Sequence, residues 1–270
     1  MTTSLRLASF NACSGRSLDD GLADTDRLAA AVAGLEADVV ALQEVDRFQP
    51  RSGGADQADV VATALGGAAF RYLGLVHGTP GEPGWLPAPD DHPASGHDID
   101  DGTADPTYGI ALVTTRPVRS WHVLRLAPAR GRYPIPVPSR PPRVLWIPDE
   151  PRAVVAAVLE SPRITVAATH LSFAPGANVR QLRAVRRWLA TLPGPHVLLG
   201  DLNLPGGLPG RITRWTPLVS GPTFPSPGPR VQLDHALAHG LPAGTTVRGR
   251  VERLAVSDHR AVVADVGFGT

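Results

Sequence analysis

The chain contains no lysine: every one of its 26 basic residues other than histidine is arginine. That removes any mechanism built on a lysine nucleophile or Schiff base. A single cysteine, Cys13, excludes a disulfide framework and a cysteine-based zinc site. Its plain reading is a small buried filler. Charge of one sign is also missing, because 25 carboxylates face 26 arginines and leave a formal net charge of +1. No global basic field therefore advertises nucleic-acid binding, although a local basic groove stays compatible with this balance. No apolar run approaches the roughly 20 residues that span a bilayer. The N-terminus, strand-like over 5–10 and interrupted by Arg6, lacks the charged and apolar regions of a secretion signal. No Gly-x-Ser-x-Gly elbow is present, which excludes the usual serine-hydrolase site. These absences predict a cytoplasmic monomer with no stable membrane association.

What is present reads as one large α/β domain over residues 1–270, with 43% hydrophobic and 19% charged residues, enough for a sizeable core. Apolar runs predict strands over 5–10, 39–42, 70–76, 110–114, 153–159, 164–168, 196–199, 232–237 and 261–266. Helical spacing predicts helices over 26–35, 57–65 and 178–192. The last is capped by Asn178, carries an apolar stripe of Val179, Leu182, Val185 and Leu189, and ends at Pro193-Gly194. Strands outnumber helices and hairpin-like pairs mix with αβ units, which favours mixed sheets over one parallel sheet. Two stretches without periodicity, 77–107 and 127–151, are rich in Pro and read as surface insertions.

Polar residues with catalytic potential follow the strands one after another: Asn11, Glu44, His170, Asp201 with Asn203, Asp234, and Asp258 with His259. In an extended chain, positions i and i+2 face the same way, so Asp201 and Asn203 are expected to point together into one site. Four convergent carboxylates, Glu44, Asp201, Asp234 and Asp258, would repel one another unless a cation joined them. Oxygen donors without cysteine or clustered histidine select Mg²⁺, or Mn²⁺, over zinc. Two histidines that titrate near neutrality complete a set better suited to phosphoester hydrolysis than to acyl transfer.

The segments Ser9-Phe10-Asn11, Leu42-Gln43-Glu44-Val45-Asp46, Thr169-His170-Leu171, Gly200-Asp201-Leu202-Asn203, Leu233-Asp234-His235 and Ser257-Asp258-His259 resemble, in order, the signature of the endonuclease/exonuclease/phosphatase superfamily. The resemblance implies a four-layer α/β sandwich, two mixed β-sheets face to face and flanked by helices. It also implies a metal-dependent phosphoesterase, most readily a phosphodiesterase, acting by one-step attack of metal-activated water. Glu44 would be the principal Mg²⁺ ligand with Asn11 beside it, and Asp258 a further carboxylate at or behind the metal. Asp201 and Asn203 would orient water and the scissile phosphate. His259, fixed by Asp234, would be the general base or a phosphate-stabilising imidazole. His170 would donate to a phosphate oxygen or protonate the leaving group. The chain departs from the pattern at Ile110, where an Asn is common, which removes one polar contact.

Local geometry adds that Asp258 and His259 can share a site only from a loop or bulge, and that His235 points away if Asp234 points in. Arg51, before Ser52-Gly53-Gly54, is a candidate to receive a substrate phosphate at a helix N-terminus, against a plain helix start capped by Ser52 or Asp56. Arg180, Arg183, Arg186 and Arg187 line the polar side of the third helix, which reads first as a solvated face and second as a phosphate track. His92 and His97 with Asp90, Asp91, Asp98, Asp100 and Asp101 read as an acidic lid more than a metal site. The substrate class stays open among phosphorylated small molecules, lipid headgroups and nucleic acid. Glu44-Val45-Asp46 stands where AP endonucleases usually have Glu-Thr-Lys. A sphingomyelinase-like protein would show secretion and an exposed aromatic hairpin, for which Trp85 is the only candidate. A catalytically silent binding module on the same fold is the rival of a different class.

Overall fold

Strands β1 (Thr3–Asn11) and β2 (Val39–Arg47) run parallel and bury both faces. Leu5, Leu7, Val39 and Ala41 face one apolar cluster, while Ala8, Phe10, Val40 and Leu42 face another. Alternation of this kind places a central strand between two layers. The computed structural model describes residues 3–78, 84–89, 94–96, 105–137 and 143–269.

The other strands are β3 (Ala69–His77), β4 (Leu86–Pro87), β5 (Thr107–Thr114), β6 (Val118–Leu126), β7 (Arg132–Val137), β8 (Arg143–Pro148), β9 (Arg152–Leu159), β10 (Thr165–His170), β11 (His196–Asp201), β12 (Thr216–Pro217), β13 (Asp234–His239), β14 (Thr246–Glu252) and β15 (Ala261–Phe268). The first sheet has the order β14-β15-β1-β2-β5-β3-β4 and the second β12-β13-β11-β10-β9-β6. Each is mixed: β1 with β2, and β10 with β11, are the parallel neighbours. Helices α1 (Thr25–Ala33) and α2 (Gln57–Ala64) pack on the outer face of the first sheet, and α3 (Ala177–Leu189) packs on the outer face of the second. The short α4 (Leu208–Thr213) lies against α3. The layers are thus helix, sheet, sheet, helix, with the largest cluster between the sheets. No helix among the described residues is long and apolar enough to cross a membrane.

Several local expectations change. The proline-rich stretch 127–151 contains the hairpin of β7 and β8, in which Pro134 pairs with Trp146 and Pro136 with Val144. A two-stranded ribbon tolerates proline because each strand has a free edge that needs no N–H. Trp146 on this hairpin is 59% exposed, whereas Trp85 is partly buried against the inter-sheet core, so the exposed aromatic is Trp146 and not Trp85. In the stretch 77–107, β4 extends the first sheet and Ser95 bridges to Tyr72. The acidic-lid residues Asp90, Asp91, His92, His97, Asp98, Asp100 and Asp101 lie outside the described residues. The third helix begins one residue before Asn178, with Gly176 in the left-handed conformation as its cap. Asn178 is therefore inside the first turn, and its side chain serves another purpose.

Candidate active site

Strand parity carries the polar residues to one place. On β11, Val197 and Leu199 face the inter-sheet core, so Asp201, two residues on, faces the same seam. The same count brings His170 after Val166 and Ala168, Asp234 before Ala236 and Ala238, and Asn11 after Leu5 and Leu7. His170 pairs in register with Asp201, and Asp201 with Asp234. A row of three side chains therefore crosses three neighbouring strands of the second sheet, at the end where its apolar core stops. Gly200 permits this close pairing, because a Cβ there would sit 2.0 Å from the Thr169 carbonyl oxygen.

Asp201 and Asn203 do not lie on a continuous strand as the i, i+2 argument expects. The strand ends at Asp201, and Asn203 adopts a left-handed φ of 49°. The Asn203 backbone N–H turns back to donate to Asp201 Oδ1 at 2.9 Å. Its amide nitrogen donates to the Leu171 carbonyl at 2.9 Å and lies 3.3 Å from His170 Nε2. Behind it, the buried Asn178 donates from Nδ2 to the Asn203 carbonyl at 2.9 Å. Asn178 thereby stabilises a turn that few non-glycine residues adopt.

Glu44 reaches the site through a defect in the first sheet. The register of β2 against β5 shifts between Gln43 and Val45, and Glu44 takes a φ of 55°. The strand β3 shifts between Gly74 and Val76 opposite the same residue of β5, Gly109. A Cβ on Gly109 would lie 1.9 Å from the Leu73 carbonyl oxygen, so only glycine fits between the two bulges. Ile110, next to it, is buried in the inter-sheet core. Asn11 joins the two walls: Nδ2 donates to Glu44 Oε1 at 3.0 Å and to Asp201 Oδ2 at 3.2 Å. Its Oδ1 accepts from Cys13 N–H at 3.1 Å, which fixes the amide with its nitrogen toward the carboxylates. In this orientation Asn11 bridges the two carboxylates as a donor.

The loop before β15 supplies His259, whose Nδ1 lies 2.9 Å from Asp234 Oδ2 and whose Nε2 lies 3.8 Å from Asp201 Oδ2. Ser257, at φ 78°, builds this loop: its hydroxyl donates to the Asn11 carbonyl at 2.6 Å and accepts from His259 N–H at 3.0 Å. His259 and Asp258 are thus free to leave the strand pattern. Asp258 is partly exposed and lies by the Cys13 thiol. Burial first, then the charges of Glu44 and Asp258, push that thiol up. His235 turns outward, its Nε2 2.8 Å from the Leu204 carbonyl, and burial lowers its pKa.

The electrostatics separate the two histidines. Although burial opposes it, the charge of Asp234 and its hydrogen bond, with the charge of Asp201, hold His259 protonated, with a pKa raised to about 10. His170 is held neutral by burial, the buried Arg152 cation and His259, its pKa falling well below the usual value. A neutral His170 can give or take a hydrogen bond but is a poor proton source for a leaving group. Burial and the neighbouring Asp234 raise Asp201 to about 7. Like charges set directly opposite on adjacent strands repel, and Asp234 Oδ1 is buried without a hydrogen-bond partner. Such a site is short of positive charge. Its oxygen donors suit a hard divalent cation, with Glu44, bound by Asn11, as the carboxylate that would hold it. Ligand atoms of Asp201, Asp234 and His259 also lie within 4.8 Å of one another. His259 meets Asp234 through Nδ1, which leaves Nε2 as the atom facing Asp201.

Arg51 does not stand at a helix N-terminus. It lies in a short 3-10 turn, and its Nε and Nη2 donate to the buried Asp46 at 2.8 and 2.6 Å. The first amides of α2 are already taken by Asp56, which accepts from Ala58 and Asp59 N–H at 3.0 and 3.1 Å. A second carboxylate two positions after Glu44 thus captures the guanidinium offered to a phosphate. Sequence reasoning quoted Ser257 in its segment without giving it a role, and overlooked Phe224 and Arg152. The Phe224 ring lies 4.8 Å from the His259 ring, and Arg152 is buried with Nη2 3.5 Å from Asp149 and Nη1 3.5 Å from Glu150. No local motif marks them, though Arg152 opening an apolar strand was a visible signal.

The family model described as Endonuclease/Exonuclease/phosphatase family matches residues 8–259, and the chain belongs to that family. Solved structures with the same fold include an endonuclease/exonuclease/phosphatase from Beutenbergia cavernae, 21% identical over 98% of this chain and 72% of that one, with a TM-score of 0.64. Sphingomyelinase C from Streptomyces griseocarneus is 17% identical over 99% of this chain and 100% of that one, at a TM-score of 0.58. Truncated Caenorhabditis elegans TDP2 is 15% identical over 98% of each chain, at a TM-score of 0.55. A comparison with curated proteins found no match.

Proposed function

We propose that the protein hydrolyses a phosphodiester in one step with a divalent cation, Mg²⁺ or Mn²⁺, held by Glu44. The observation that carries this reading is the in-register row of His170, Asp201 and Asp234 facing Glu44 across the Asn11 bridge. When bound, the cation neutralises charge on the phosphate and on the leaving oxygen. Asp201, its pKa lifted toward neutrality, accepts a proton from the attacking water as the new P–O bond forms and the ester P–O bond breaks. His259, kept charged by Asp234, offers Nε2–H to a phosphate oxygen, which favours its stabilising role over that of general base. Asn203, pinned by its own backbone bond to Asp201 and by Asn178, keeps His170 and Asp201 in place.

The diester accepted is a small phosphorylated molecule, a lipid headgroup or nucleic acid, and one panel sorts these. Bis-(p-nitrophenyl) phosphate, a phospholipid, RNA and single- and double-stranded DNA are assayed with Mg²⁺, Mn²⁺ or chelator. Turnover that vanishes in chelator and falls by at least ~100-fold in both Asp201→Asn and His259→Gln is the expected result. If either folded variant retains more than about a tenth of wild-type activity, the mechanism is wrong. Absence of both metal binding by calorimetry and turnover would leave a binding module on the same fold.

A further inference from the structure

Charge on this protein is segregated, which its near-neutral total conceals. Between 171 and 233 there are seven arginines and one carboxylate, the buried Asp201. Seven arginines elsewhere, Arg6, Arg27, Arg47, Arg51, Arg116, Arg152 and Arg250, each meet a carboxylate. By contrast, Arg180, Arg183, Arg186 and Arg187 on α3 and Arg211 and Arg214 at α4 are all exposed, and none has a carboxylate partner among the described residues. At 100° per residue the four on α3 fall within about a third of the helix circumference. Arg180 and Arg187 are then about 10 Å apart along the axis. This face starts at the active-site rim, because Asn178 in the first turn of α3 is bonded to Asn203. It runs toward the opposite end of the sheet, where the chain enters β11.

We infer that the outer face of α3, with α4 beside it, is a binding surface for the phosphate backbone of a nucleic acid. An isolated row of guanidiniums with no counter-charge matches a polyanion in sign, and guanidinium forks match phosphate in geometry. A membrane surface fits less well. An interfacial helix must bury an apolar face in lipid, whereas Leu182, Val185 and Leu189 are wholly buried against the second sheet. The surface lies outside the catalytic constellation, so its ligand is held independently of which diester is cut. Binding measured in chelator therefore fails or succeeds apart from the hydrolytic reading.

The test uses the full chain in chelator and a fluorescein-labelled 20-nucleotide single-stranded DNA, followed by anisotropy between 50 and 200 mM salt. The variant carries Arg180→Gln, Arg183→Gln, Arg186→Gln and Arg187→Gln. Binding is expected to weaken at least ~10-fold at 50 mM salt, and the slope of log affinity against log salt to become shallower by about two. The four Arg→Lys changes should retain most of the salt-dependent binding, while turnover of bis-(p-nitrophenyl) phosphate stays at the wild-type level in both variants. A folded Gln variant that binds DNA like the wild type overturns the proposal. So does a wild-type protein that binds polyglutamate or phosphatidylglycerol vesicles as tightly as DNA.

Discussion

The two walls of the candidate site are built differently. On the wall from the second sheet, His170, Asp201 and Asp234 sit on adjacent strands in register, and Asn203 is held by bonds through both its backbone and side chain. On the wall from the first sheet, Glu44 projects from a bulge, partly exposed, with a hydrogen bond from Asn11, and Asp258 stands in a loop. The first arrangement resists displacement and suits groups whose aim matters. The second collects negative charge in the open, and charge attracts a cation without demanding one exact angle. Orientation and charge collection are thus assigned to opposite sheets, with Asn11 as the coupling.

Removing charge from each wall in turn is the strongest way to break this comparison. Glu44→Gln is expected to weaken Mn²⁺ binding at least ~10-fold by calorimetry and to lower turnover ~100-fold, with partial recovery as metal is raised. Asp201→Asn is expected to lose as much turnover with no recovery at any metal concentration. Equal rescue of both would remove the division of labour.

Next in size is Asn178→Ala, which leaves the Asn203 carbonyl without its donor. A loss of about 1–3 kcal/mol in denaturant unfolding is expected for a buried partner left unsatisfied. Turnover should fall ~10-fold, a cost of the kind that groups behind a site's first contacts exert. Metal affinity should not change, because the defect lies on the orienting wall. If Mn²⁺ affinity fell in step, the walls would be one unit.

A smaller effect concerns pH in the absence of metal. His259 has a folded pKa raised to about 10 from 6.5, so its stabilisation is full below 6.5 and lost as pH rises through about 10. Asp201 is raised to about 7 from 3.8, so its ionisation disfavours the fold and stability falls as pH rises from 3.8 through about 7. Both act in the same direction. The Tm in chelator is expected to decline from pH 5 to pH 10, and Asp201→Asn should raise Tm at pH 8 while abolishing turnover. A Tm that climbs across that range would contradict both assignments. The smallest expected signal is chemical: Cys13, with its thiol pushed up by burial and by Glu44 and Asp258, should resist alkylation at pH 8 until the chain is unfolded.

The central strands and three longer helices were readable to within a few residues, since strands buried on both faces are apolar throughout and helices on the outside keep a 3.6 period. The strands that escaped notice are edges. In β6 and β14, Arg, His and Ser interrupt the apolar pattern because one side is wet, and β7 carries prolines that a free edge permits. The residue types of the site were readable as well, through six short segments in order. Their pairing was not. Arg51 was offered to substrate and is taken by Asp46. Asn178 was read as a cap and holds Asn203. Asp201 and Asn203 were expected to share a strand and instead share a turn.

The amino-acid sequence by itself determined the central strands and the outer helices, the absence of lysine chemistry and of a disulfide framework, and the set of carboxylates, amides and imidazoles available for a phosphate site. Those follow from composition and from periodicities only a few residues long. Tertiary structure alone decided that Glu44 leaves its strand through a bulge made possible by Gly109 on the neighbouring strand, that His259 is charged while His170 is neutral, and that the six exposed arginines of α3 and α4 meet no carboxylate among the described residues. Each depends on which side chains, distant in the chain, lie within a few ångströms of one another in a medium of low polarity. Burial and proximity set charge state and partner, and neither is a property of a segment alone.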